Sequence, residues 1–102
     1  MIYMESKRRQ LNKVSNMQAA QRQAYKVYGE NAKLYISTRK YKKYMIYDPI
    51  KKKFIHFGDI RYEDFTHHKD ELRRERYHAR HKARKKIINP YAPHHLSLNI
   101  LW

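Results

Sequence analysis

Apolar residues in the first third of the chain recur at helical spacing. Val14, Met17, Ala20, Ala24, Tyr25 and Tyr28 fall on one face, with Asn12, Ser15, Arg22 and Lys26 opposite. The spacing predicts a single amphipathic helix over residues 5–28, with Gly29 at the position past its end that favours a left-handed backbone. Gln21 intrudes on the apolar face. A helix so weakly amphipathic is marginal in isolation and has to dock, on its own domain or on a neighbour.

The pattern changes after a basic connector, residues 33–43, in which Tyr35, Ile36 and Tyr41 are interleaved. Residues 43–47 and 53–57 are short aromatic and aliphatic runs. Between them lies Asp48-Pro49-Ile50-Lys51, where the proline presets φ for a turn. This predicts a β-hairpin ending at Gly58. A lone hairpin is barely stable in water, so a third strand near residues 34–37 or a covering helix is expected to support it.

In the loop that follows, Tyr62 and Phe65 are expected to pin the chain to the hairpin, and Thr66 or Asp64 to cap the next helix. That helix is predicted over residues 67–86. Leu72, Ala79 and Ala83 form a narrow apolar stripe towards the sheet, and Arg73, Arg80 and Arg84 run along one flank beside Tyr77 and His81. Asn89-Pro90-Tyr91-Ala92-Pro93 breaks it, and Pro93 suits the first turn of a short apolar helix. Leu96, Ile100, Leu101 and Trp102 make that end a latch, closing on the core or in a neighbour's groove.

The expected fold is therefore α+β. A small β-hairpin or three-stranded sheet packs on one basic helix, with an amphipathic helical arm before it and a short apolar helix after it. Residues 1–39 form the arm and connector, and residues 40–102 the compact domain with its latch.

Charge alters this picture most. The 102 residues carry 24 Lys and Arg against nine Asp and Glu, a formal +15. Solubility alone rarely needs more than about +8 on a small domain, so a polyanion or an acidic protein surface is the expected partner. Six of the nine acids (Asp59, Glu63, Asp64, Asp70, Glu71 and Glu75) crowd one short stretch, where they suit a helix start and i+3 or i+4 ion pairs. The polyanion-binding candidates are Lys42, Lys43, Lys51, Lys52, Lys53, Arg73, Arg74, Tyr77, Arg80, Arg84 and Lys85. Arginine supplies forked donors to phosphate, lysine point charges, and tyrosine a stacking group. The candidates for contact with a protein neighbour are Val14, Met17, Tyr25, Tyr28, Leu96, Ile100, Leu101 and Trp102.

Chemistry is harder to find. With no cysteine the chain can form neither disulfides nor thiolate metal sites. Its seven histidines sit among arginines, which repel a cation, so no metal and no cofactor is expected. Asp64, His67, His68 and Asp70 contain the parts of general acid–base catalysis, but their spacing equally suits a helix start, and no catalytic residue is assigned. No apolar run approaches the roughly 20 residues of a membrane span.

The runs KKYMIYDP, IHFGD, YEDFTHHKDELRRERYHARH and NPYAPHHLSLNILW resemble a family of short basic proteins encoded by large double-stranded DNA viruses of algae and amoebae. The resemblance covers about residues 40–102. Its pattern matches here at Lys43, Tyr44, His56, Phe57, Gly58, Tyr62, Asp64, Thr66, His67, Lys69, Asp70, Arg73, Arg74, Arg76, Tyr77, Arg80 and His81, then at Pro93, Leu96, Leu101 and Trp102. It implies a viral source and a place in the virion, or in host cytoplasm or a viral factory during assembly, and no catalytic activity. The leading expectation is a non-enzymatic virion structural protein, a minor capsid or cementing component that grips other virion subunits through arm and tail. The alternative is a nucleic-acid-binding protein that packages double-stranded viral DNA by sequence-independent phosphate contacts.

Overall fold

The computed structural model describes residues 2–81 and 89–102. The predicted first helix is two helices, α1 (Ile2–Asn12) and α2 (Met17–Tyr28). Asn16 starts the second: its side chain accepts the Ala19 N–H at 3.1 Å and so caps the N-terminus of α2. Neither is a free arm. Leu11, Ala20 and Ala24 are fully buried in the hydrophobic core. Gln21, which interrupts the apolar face, is a clamp: its amide donates to the Ala32 carbonyl and accepts from the Leu34 N–H, both at 2.8 Å.

That clamp sets the first strand of a three-stranded antiparallel sheet ordered β1 (Leu34–Ile36), β2 (Lys42–Asp48), β3 (Lys53–Asp59). The hairpin and its third strand stand where the sequence predicts them. The Asp48 carboxylate makes the turn, accepting the N–H groups of Ile50 at 2.9 Å and Lys51 at 3.3 Å, and Lys52 takes the left-handed conformation at φ 56°. Leu34, Ile36, Tyr44, Ile46 and Phe57 are buried on the sheet's inner side together with Leu96, Ile100 and Leu101.

The sheet is covered by α2 and the C-terminal segment, not by the basic helix. Residues Pro93–Leu96 form α5, which packs on β3, and the chain continues as a π-helical turn, Ser97–Leu101, against α2. Gly58 permits this approach: it has φ +78°, and a Cβ there would stand 3.0 Å from a Leu101 methyl and 3.1 Å from the Lys43 side chain.

The predicted helix over residues 67–86 is likewise divided. Asp64 caps a single turn, α3 (Phe65–His68), and Lys69 turns left-handed at φ 54°. Asp70 then caps α4 (Glu71–Arg80), accepting from Leu72 N–H at 3.0 Å and Arg73 N–H at 3.2 Å. Helix α4 buries none of its residues, and Leu72 is 54% exposed. Its apolar stripe is too thin to hold it on the sheet. Ala83, the rest of that stripe, lies outside the described residues.

Candidate nucleic-acid interface

The charged side chains separate into two populations, one inside and one outside. At the inner end of β2, Lys43 donates to Asp64 at 2.9 Å, with side chains 3% and 0% exposed. The other Asp64 oxygen accepts the Thr66 N–H at 3.0 Å and the Thr66 hydroxyl. The Thr66 oxygen accepts from the Asn16 N–H at 2.9 Å and lies 3.1 Å from the Ser15 hydroxyl, which meets the Tyr44 hydroxyl at 2.7 Å. The Asp64 N–H closes the set by donating to the Val14 carbonyl at 3.1 Å.

The break between α1 and α2 is thus where the chain accepts the α3 turn. Burial depresses the Lys43 pKa despite the opposing pull of Asp64, and burial raises that of the Tyr44 phenol. Assigned from the sequence to a polyanion surface, Lys43 offers no free charge there, because its ammonium is enclosed and already paired.

Of the other acids of this region, all but Glu75 are also engaged. Asp59 holds Arg61 through two bonds of 3.0 and 2.8 Å, and hydrogen bonding to Arg61 keeps its carboxyl below the usual range. Glu63 meets His67 at 3.1 Å, Glu71 meets Arg74 at 3.6 Å, and Asp70 caps α4. Asp64, His67, His68 and Asp70 do not converge. The first is sealed, the second faces Glu63, and His68 accepts the Asp70 N–H at 3.0 Å. Among the described residues no group of three His, Asp or Glu could hold a metal ion.

Outside, the basic face of α4 borders a cleft of about 440 Å³. Its lining includes Arg73, Arg76 and Arg80, the carboxylates Asp59 and Glu63, and the rings of Tyr77 and Trp102. The Tyr77 and Trp102 rings are stacked at 4.3 Å and 4°, and Arg80 stands 5.9 Å over the tyrosine. Among the described residues, Arg73, Arg76 and Arg80 form no ion pair. Three such guanidinium groups beside a flat aromatic pair suit the phosphates of a nucleic acid.

Of the predicted polyanion residues, the structure brings Arg73, Tyr77 and Arg80 to this cleft, and Lys43 also lines it, with its ammonium bound to Asp64. Arg76 was missed, although it lies three residues from Arg73 and four from Arg80, on neighbouring turns. Arg74 points elsewhere, donating to the Trp102 carbonyl at 2.8 Å and lying 5.0 Å over Phe65. Lys51, Lys52 and Lys53 are exposed at the hairpin tip, and Lys42 is half-buried. Strand geometry puts Lys53 roughly 17 Å along β3 from Gly58, which lines the cleft, so tip and cleft are separate patches. Arg84 and Lys85 lie outside the described residues.

The predicted partner-binding residues largely turn inward. Leu96, Ile100 and Leu101 are core residues because the C-terminal helix closes on its own sheet, and Val14 and Met17 pack against that core. Tyr28 donates to the Pro90 carbonyl at 2.7 Å and packs on Tyr91, and Trp102 is half-buried against Tyr77. Tyr25 alone of the eight is exposed. Tyr62, expected to pin its loop, is exposed as well and lies beside Arg61.

Residues 32–81, from the approach to β1 through the end of α4, are similar to a family of unknown function (DUF5754). No curated protein and no solved structure matches the chain. Among the described residues no helix is long and apolar enough to cross a membrane.

Proposed function

We propose that this protein is a non-enzymatic nucleic-acid-binding protein that holds DNA by sequence-independent phosphate contacts. The observation that carries this reading is the one-sided use of charge. Asp59, Glu63, Asp64, Asp70 and Glu71 are taken up by caps and ion pairs, with Glu75 the one acid of that stretch left without such a partner among the described residues, while Arg73, Arg76 and Arg80 line one cleft with no ion-pair partner among those residues. The resemblance to short basic proteins of large DNA viruses supports the viral genome as the partner, in the particle or where it is assembled. A capsid component gripping its neighbours through arm and tail has less support, since Leu11, Ala20, Ala24, Leu96, Ile100 and Leu101 already fill this chain's own core.

The test is a titration of the whole chain with duplex DNA between about 50 and 200 mM salt, where several phosphate contacts change affinity by orders of magnitude. Replacing Arg73, Arg76 and Arg80 by Gln should weaken binding and flatten the salt dependence, by about 0.9 in log–log slope for each phosphate no longer neutralised. Absence of binding at the lowest salt, or affinity indifferent to salt, overturns the reading.

A further inference from the structure

The sheet has a second side that neither the core nor the cleft uses. The register places Tyr35, Met45 and His56 in one row across the three strands and Tyr47 beside Phe54 in the next. By strand alternation these face away from the core side of Leu34, Ile46 and Phe57. Tyr35 and Tyr47 are each 46% exposed and Phe54 42%. The rings form one cluster, with Phe54 set edge-on at 5.7 Å from Tyr35 and 5.5 Å from Tyr47. An antiparallel sheet with one face on the core ordinarily carries polar residues on the other.

The surroundings of this patch are cationic. At the β1 edge a groove of about 690 Å³ is lined by Tyr35 and Met45 together with Arg8, Arg22 and Lys33, and no carboxylate of the described residues lines it. Across the sheet His56 is held neutral more strongly than usual, first by burial and then by the charges of Arg39, Lys7 and Lys42. The one acid of the hairpin strands before Asp59, Asp48, is buried and binds the turn amides.

We propose that this open face is a stacking platform for unpaired bases, and that single-stranded DNA is its ligand. The inference rests on the nucleic-acid reading above and adds the state of the strand. A basic groove that tracks the backbone, opening onto exposed rings, is how proteins hold single strands without reading sequence. Bases inside a duplex present no free face to such rings. A second copy of this chain would bring the same positive rim against itself, and an apolar partner would leave the cations without a role.

The experiment compares the whole chain on a single-stranded oligothymidylate, a duplex of equal length and an oligouridylate. Tyr47→Leu and Phe54→Leu keep apolar bulk and remove the π-face, so they separate stacking from simple burial. Each should weaken binding to the single strand by about 5-fold or more while duplex affinity stays within about twofold. The triple glutamine variant at Arg73, Arg76 and Arg80 should weaken duplex binding.

Leucine variants that bind the single strand as well as the parent, or that lose single strand and duplex alike, overturn the platform and leave the phosphate reading standing. Tighter binding to the oligouridylate by about tenfold would overturn the assignment to DNA. A parent protein that binds none of the three sinks the phosphate reading and the platform with it. A concentration-dependent dimer abolished by Phe54→Leu would show the face to be a self-interface and overturn the platform.

Discussion

At the junction of β2 and α3 a lysine and an aspartate are sealed from solvent, and every polar group around them has a partner. A few residues later, α4 is as densely charged and buries nothing. The two regions share a vocabulary of Lys, Arg, Asp and Glu, and differ in what surrounds the charges. Enclosed, a charge must be matched, and it then dictates which segments meet. Exposed, it costs little to leave unmatched, and it remains available to something from outside. Charge count alone therefore overstates the binding surface, since part of the +15 belongs to the interior.

The sharpest way to break this contrast is Asp64→Ala. It strands the Lys43 ammonium in the interior and removes the cap of α3, and should cost about 3–5 kcal/mol in urea unfolding. Adding Lys43→Met should recover much of that loss, because the second change removes the stranded charge. A cost below about 1 kcal/mol for Asp64→Ala would mean that the node is wet and the contrast empty.

Next in size come the two glycines, which offer an internal control. Both have positive φ, +103° at Gly29 and +78° at Gly58, but a Cβ at Gly29 meets nothing within 4 Å. Gly29→Ala should therefore cost only backbone strain, about 1–3 kcal/mol, because φ 103° with ψ 169° is a conformation essentially confined to glycine. Gly58→Ala adds collision with Leu101 and with Lys43, and should cost about 1–3 kcal/mol more, read as a lower unfolding midpoint. Equal costs would show that the C-terminal helix does not press on β3 as described.

The hairpin and its third strand were legible because turn chemistry and period-two runs are local signals. The division of the two long helices was also written locally, in Asn16 and Asp70, but the apolar spacing runs on across both breaks and masks the caps. Burial of Lys43 had no local mark at all. It sits beside Lys42 in the same strand, and only the arrival of Asp64 from beyond the hairpin distinguishes them. The open sheet face was hidden for a related reason. Tyr44 and Ile46 alternate with Met45 and Tyr47, so both faces of β2 read as apolar, and the side that is covered depends on where α2 and the C-terminal helix land. Of the cleft, Arg73, Tyr77 and Arg80 were visible as a helix flank, whereas the Trp102 stack on Tyr77 joins distant parts of the chain.

A smaller effect concerns pH at the border between the enclosed and exposed regions. The His56 ring, bonded through Nδ1 to the Ser37 hydroxyl at 2.7 Å, has its pKa lowered from the ordinary 6.5 by burial and by nearby cations. Above that value both folded and unfolded chains are neutral at this site. Below it the unfolded chain takes up a proton that the folded chain refuses until its own lower pKa is reached, so stability falls through that window. His68, lowered by burial and then by Arg73, acts in the same direction. His56→Gln should flatten the loss of stability between about pH 7 and pH 5, leaving the part due to His68. An unchanged slope would place His56 in solvent.

The least effect on folding is expected where the effect on binding is greatest. Arg73 and Arg76 stand at i+3, and Arg76 and Arg80 at i+4, so within α4 they repel one another, by about 0.2–0.5 kcal/mol per pair. Replacing all three by Gln removes that repulsion and breaks no ion pair among the described residues. Stability should stay within about 0.5 kcal/mol of the parent, or rise slightly, while affinity for duplex DNA falls. Asp64→Ala combined with Lys43→Met should do the reverse, altering stability and leaving the salt dependence of binding unchanged. If the triple variant unfolds instead, its guanidinium groups hold the fold as Lys43 does, and the outer population of charge is no different in kind from the inner one.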